Sequence, residues 1–324
     1  MTKQSSLWQF ILQHLAQEMP IMLMYVLDSK GSSPGRKGFA MAVTASGKTH
    51  GSIGGGIMEH KFAEMAIANL QALPIKPLRP TVRKQVHDKT AAQNQSGMIC
   101  SGEQTIFLYP VQQEDKNEVE KIIEHLQERK LGWLQLDNSG FKLLTQNKYA
   151  TTGIITETAE NWHYIEKIGY KNHLQIIGGG HCALALSKLL YSMDFHVCIY
   201  EDRENLDTLQ QNDYAHEIKI LEDYSQLSTQ VETGPDLYVA IMTVGYRTDY
   251  LALKTIIDKP FKYLGVLGSK KKMEKLLLQL EEDGVDKATL TKIHTPIGLP
   301  INSQTPEEIA ISIAAEIILI KNSI

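Results

Sequence analysis

Leu174-Gln175-Ile176-Ile177-Gly178-Gly179-Gly180-His181-Cys182-Ala183 is the stretch that decides the fold. An apolar run passes directly into three glycines and then into a helical pattern, so it reads as strand, glycine turn, helix. Gly178 permits the tight turn, Gly180 lets a ligand's phosphates approach the backbone, and the helix opened by His181 favours an anion at its start. Ala183 stands where a third glycine is usual and is still small enough for close helix–strand packing. Asp202 follows the second strand, where an acid binds ribose hydroxyls. The turn is therefore a candidate site for a nucleotide or other phosphate ligand, with a purely architectural turn as the equal alternative.

Outward from there the rhythm is regular. Strands are expected at Leu174–Ile177, His196–Tyr200, Ile218–Leu221, Leu237–Thr243 and Tyr263–Leu267, with helices from His181, around Leu206, from Thr248 and from Lys271. Alternation of this kind implies parallel pairing through right-handed crossovers. Val239-Ala240-Ile241-Met242 suits a strand covered on both faces. Thr305 as cap, Pro306 at the first helical position and Glu308 closing a capping box announce a last helix.

The N-terminal half reads differently. A helix capped by Ser5 or Ser6 ends before Pro20, and strands Ile21–Leu27 and Phe39–Thr44 flank the loop Gly31 to Gly38. A helix from Ile57 to about Leu73 places Met58, Phe62, Met65 and Leu73 on one stripe. Strands follow at Thr81–Val86 and Gln104–Val111, then a helix marked by Val119, Ile122, Ile123 and Leu126, then strands at Trp133–Leu136 and Phe141–Leu144. The pattern weakens between 155 and 170. The fold class is α/β, with an N-terminal α+β domain over 1–165 followed by a Rossmann-like, doubly wound parallel-sheet domain over 166–324.

Composition excludes several classes. With 324 residues, 33 basic against 37 acidic and 43% hydrophobic, the chain suits two globular cores and has no basic face for nucleic acid. Three cysteines cannot build a disulfide framework and fit a reducing compartment. No apolar run reaches the roughly 18 residues of a membrane span, and the N-terminus lacks a secretory apolar region, so a cytoplasmic location is expected.

Gly54-Gly55-Gly56 forms a second glycine-rich helix start. Its entropic cost is larger than a plain turn needs, and its N–H groups could hold a phosphate or a pterin edge. Glu59 in the first turn either joins that site or simply complements the helix dipole. Ser32, Ser33 and Arg36 reach the same cleft or belong to a solvated loop. Cys100, in the bend Gly97-Met98-Ile99-Cys100-Ser101-Gly102, is either accessible beside its glycines or an inert buried thiol. Cys182 opens a helix whose dipole would depress its pKa. His181 and His294 lie in loops of the Rossmann half. No metal-ligand spacing occurs among the eleven histidines.

Taken together, these segments resemble the XdhC/CoxI family of xanthine dehydrogenase accessory proteins. The resemblance rests on Gly31-Ser32-Ser33-Pro34, Gly51 to Gly56 with Glu59, Cys100-Ser101-Gly102, Ile177 to His181 with Glu201-Asp202-Arg203, Tyr263 to Lys272, His294 to Leu299 and Thr305 to Ile313. It implies a protein that binds molybdenum cofactor (molybdopterin), shelters it during sulfuration and delivers it to a xanthine dehydrogenase-like molybdoenzyme. A cysteine desulfurase would be the other partner. Cys100 matches the cysteine of the family's Cys-Gly-Gly motif, which makes it the residue implied to contact molybdenum or relay sulfur. The implied cofactor-binding residues are Ser32, Ser33, Arg36, Gly54, Gly55, Gly56, Glu59, Gly178, Gly180, His181 and Asp202. Such a chain is a cofactor-insertion chaperone rather than a turnover enzyme. A homodimer is expected, because a shelter between two protomers excludes solvent better than one open face. The alternative is an NAD(P)-dependent oxidoreductase using the Rossmann half.

Overall fold

In a computed structural model the protein forms two compact units, Met1–Gly169 and Tyr170–Ile324. The structure describes residues 3–72, 79–86, 102–128, 132–146, 153–156 and 162–323.

The first unit is built on two antiparallel sheets. Helix α1 (Lys3–Leu15) leads into β1 (Ile21–Gly31), β2 (Ala40–Thr44) and β3 (Thr49–Gly51), then α2 (Gly56–Gln71), β4 (Thr81–Val86) and β5 (Gly102–Val111). These strands pair in the order β3-β2-β1-β5-β4. After α3 (Lys116–Gln127) come β6 (Gly132–Asp137), β7 (Gly140–Leu144), β8 (Gly153–Thr156) and β9 (Trp162–Ile168), ordered β7-β6-β9-β8. Side chains on successive strand residues point to opposite faces, and β1 uses both. Ile21, Leu23, Tyr25 and Leu27 enter a core shared with α1, α3 and the second sheet, whereas Met22, Met24 and Val26 pack under α2. The buried stripe of α2 is Met58, Phe62, Ala66 and Leu70. It follows i, i+4 spacing and differs from the expected stripe at Met65, which is only partly buried; Leu73 lies outside the described residues. Ser5 and Ser6 do not cap α1, because the helix already starts at Lys3; Ser6 instead bonds His50.

The second unit is the doubly wound sheet. Its elements are β10 (Asn172–Ile177), α4 (His181–Tyr191), β11 (Phe195–Glu201), α5 (Asp207–Gln210), β12 (Glu217–Ile220), α6 (Leu227–Gln230) and β13 (Gly234–Ile241). There follow α7 (Tyr246–Ile256), β14 (Phe261–Val266), α8 (Lys270–Glu282), α9 (Lys287–Leu290) and α10 (Pro306–Asn322). The strand order β12-β11-β10-β13-β14 is all parallel. His294 extends the sheet by a parallel bridge to Gly265. One face is closed by α4 and α10 over Leu174, Ile176, Val197 and Ile199, the other by α7 and α8 over Tyr200, Val239 and Ile241. The expected Rossmann-like architecture is present. Helix α10 begins as its sequence announces: Thr305 accepts from Glu308 N, and Glu308 reaches back to Thr305 N.

Candidate functional site

In the first unit three backbone segments meet through glycines. A Cβ on Gly35 would lie 2.0 Å from the Ile53 carbonyl oxygen, one on Gly54 2.5 Å from Gly35 N, and one on Gly102 2.5 Å from Ser33 N. Only residues without side chains allow backbones this close. Buried Gln104 ties the start of β5 to the glycine turn by donating to Ile53 O at 2.9 Å. Arg36 closes its own loop by donating to Gly31 O at 3.0 Å. Ser32, Ser33, Arg36, Gly54, Gly55, Gly56 and Glu59 thus belong to one neighbourhood. Ser33 is buried, while Ser32 and Arg36 are exposed.

Glu59 has a definite task there. Its Oε2 accepts from Ser52 Oγ at 2.6 Å, from Ile53 N at 2.9 Å and from Gly55 N at 2.9 Å. Gly54 N is taken by Ser52 Oγ at 3.1 Å. The amides of the turn itself are thereby satisfied from within, and the carboxylate sits at the positive end of α2. Open space remains one step further on. Gly55, with φ 77°, would meet nothing within 4 Å if it carried a side chain, and no side chain caps the helix. A flat group could approach at Gly55 and Gly56, beside exposed Ile57. Cys100 and Ser101 lie outside the described residues.

In the second unit Gly178, Gly179 and Gly180 join β10 to α4. A Cβ on Gly178 would lie 2.5 Å from Met242 O, which fixes the turn against β13, while Gly180 has room around it. His181 is exposed at the helix start. The acid turned onto the glycines is Glu201, not its neighbour. Fully buried, Glu201 accepts from Gly179 N at 2.6 Å through Oε2 and binds Arg203 through both oxygens at 2.8 and 2.9 Å. This bidentate guanidinium pair and the amide hold the Glu201 carboxyl down at about 2, against 4.5 ordinarily, despite burial. Asp202 is partly exposed, shares Tyr224 Oη with Glu201, and has its pKa raised by desolvation and by the neighbouring carboxylate.

Residues 174–317 match the family model described as the XdhC Rossmann domain, and residues 14–74 match that of the XdhC and CoxI family. The chain belongs to the XdhC/CoxI family. An Escherichia coli K12 protein described as uncharacterized protein YqeB is 27% identical over 95% of this chain. The chain spans only 44% of that relative's own length. A Bacillus subtilis protein, described as a probable xanthine dehydrogenase subunit, is 22% identical over 94% of each chain. A Bacillus halodurans crystal structure described as a xanthine dehydrogenase shares the fold with a TM-score of 0.73 and 22% identity, covering 97% of this chain and 95% of that one.

Other XdhC/CoxI-type features resolve into structural roles. His294 stacks on Tyr263 and bonds Glu316 at 3.2 Å, and Glu316 also takes Tyr263 Oη and Gly298 N. Lys272 is paired with buried Asp249 at 2.5 Å. Cys182 corrects an expectation: although it opens α4, burial and the nearby Glu307 push its thiol pKa up. Burial raises Cys198 to about 11. Iodoacetamide at neutral pH should therefore label Cys182 more slowly than a free cysteine, as read by mass spectrometry; rapid labelling would show the helix dipole prevailing. Among the described residues no cluster of His, Cys, Asp or Glu is arranged to hold a metal ion, and no helix is long and apolar enough to cross a membrane.

Proposed function

We propose that this chain is an accessory protein to a xanthine dehydrogenase-type molybdoenzyme, and that its first unit holds molybdenum cofactor while sulfur is installed and before delivery. Family membership supports the accessory role. The observation that carries the binding site is the glycine-mediated meeting of the Arg36 loop, the Gly54–Gly56 turn and the start of β5. Cys100 stands two positions before Gly102 in the sequence.

The residues present fit the group. Open backbone at Gly55 admits a flat ring edge, the exposed Arg36 guanidinium suits a phosphate, and a cysteine thiolate is a soft donor for molybdenum. The cofactor would supply the molybdenum centre used by the client enzyme. This chain's contribution is to bind the pterin, orient it and exclude water. Glu59 acts indirectly, by holding the turn in shape. A cysteine desulfurase as sulfur donor and a homodimeric shelter complete the proposal.

Protein purified without oxygen from a host that makes the cofactor should carry molybdenum and release a fluorescent oxidised pterin. Absence of both, after incubation with free cofactor as well, would remove the proposal. Tight NADH or NADPH binding with hydride transfer would favour an oxidoreductase in its place.

A further inference from the structure

Glu166 is a carboxylate 6% exposed inside the first unit. It shares its face of β9 with Tyr164 and Ile168, both members of the core beneath β1. Tyr25 of β1 donates to its Oε2 at 3.0 Å, and Tyr164 donates to the same oxygen. Its other side meets the loop that precedes β2: a Cβ on Gly38 would lie 2.5 Å from Oε1 and 3.0 Å from Oε2. Gly38 has φ +87° and is further held by its N–H on Val26 O at 3.0 Å, and Phe39 N–H closes the turn on Arg36 O at 2.9 Å. Lys37, between them, rests over the Tyr164 ring at 5.5 Å from its centroid.

We infer that Glu166 is a positioning residue, which seats Gly38 and so fixes the loop carrying Ser32, Ser33 and Arg36. Burying a carboxylate is unfavourable, and apolar residues of the same volume usually pack at least as well. This carboxylate, with two committed tyrosines, provides what an apolar side chain cannot: a fixed floor for a glycine in the left-handed region, with the neighbouring lysine clamped on the tyrosine. Both hydroxyls have their pKa driven well above the ordinary tyrosine value by burial and by Glu166, so they remain donors. Retention of a ligand by this loop rests on the cofactor reading above; the seating of Gly38 does not.

The test is hydrogen exchange by mass spectrometry on the full chain, as wild type, Glu166→Gln and Gly38→Ala, alongside release of cofactor previously extracted from a purified molybdoenzyme. Amide exchange over 36–39 is expected to rise about tenfold in both variants, with exchange in α2 and β6 unchanged and the pterin released several-fold faster. A loosened loop in variants whose wild-type parent never holds the pterin leaves the positioning role standing and discards the cofactor reading. Unchanged exchange over 36–39, or uniform loosening of the unit, overturns the positioning role.

Discussion

Glu201→Ala is expected to lower the unfolding temperature of the Rossmann unit by roughly 10 °C. The substitution strips Gly179 N of its acceptor and leaves the Arg203 guanidinium without either carboxylate oxygen. Breaking a buried pair from one side typically costs about 3–5 kcal/mol. Arg203 is 40% exposed and water recovers part of its loss, so the lower end of that range applies, about 3 kcal/mol. At about 2–4 °C per kcal/mol for a domain of this size, the shift is readily seen by calorimetry. A change under about 2 °C would mean that the glycine turn holds itself without the carboxylate.

The same residue sets an acid limit. The folded-state pKa of Glu201 is depressed, from 4.5 to about 2, so the ionised carboxylate stabilises the fold fully above pH 4.5. That contribution is lost as the pH falls through the window toward 2. Asp202 works in the opposite sense, since its pKa is raised and its proton is favoured in the folded state. In Glu201→Gln the loss of stability between pH 4.5 and 2 should shrink, and Asp202, freed from a negative neighbour, should titrate lower.

A second large effect separates two adjacent glycines. Gly54 has φ 131° and would drive a Cβ to 2.5 Å from Gly35 N, a backbone atom that cannot swing aside. Gly54→Ala should cost about 3 kcal/mol or more, from strain at a positive φ combined with the clash, and should unfold or loosen the turn. Gly55→Ala meets nothing within 4 Å and carries only the backbone cost of φ 77° with ψ −173°, a conformation side chains disfavour by about 1–3 kcal/mol. Thermal unfolding of the two single variants checks the contrast. Equal losses would mean that contact between the two loops contributes nothing.

Much of this is legible in the residues. The Gly178–Gly180 turn and the strand–helix alternation specify a parallel sheet because each is a local pattern, and the Thr305–Glu308 cap is written within four positions. Strands β8 and β9 are not legible. The inward alternation of β9 is masked by Glu166, whose partner Tyr25 lies 141 positions away. Choosing between Glu201 and Asp202 is equally out of reach, since adjacent acids differ only in which face of the strand end they occupy. The task of Glu59 is legible as a dipole partner, but its bonds to Ile53 N and Gly55 N depend on how the glycines bend. The start of α1 is hidden because serine serves equally well as a cap and in a buried helix turn.

The most direct measurement is equilibrium binding of molybdenum cofactor, freshly extracted and kept without oxygen, to the wild-type chain and to Cys100→Ala, followed by pterin fluorescence. Wild type should retain about one pterin per chain through gel filtration, and the alanine variant should bind at least tenfold more weakly while remaining folded. A wild-type chain that leaves the filtration column free of pterin would contradict the proposed site at its root.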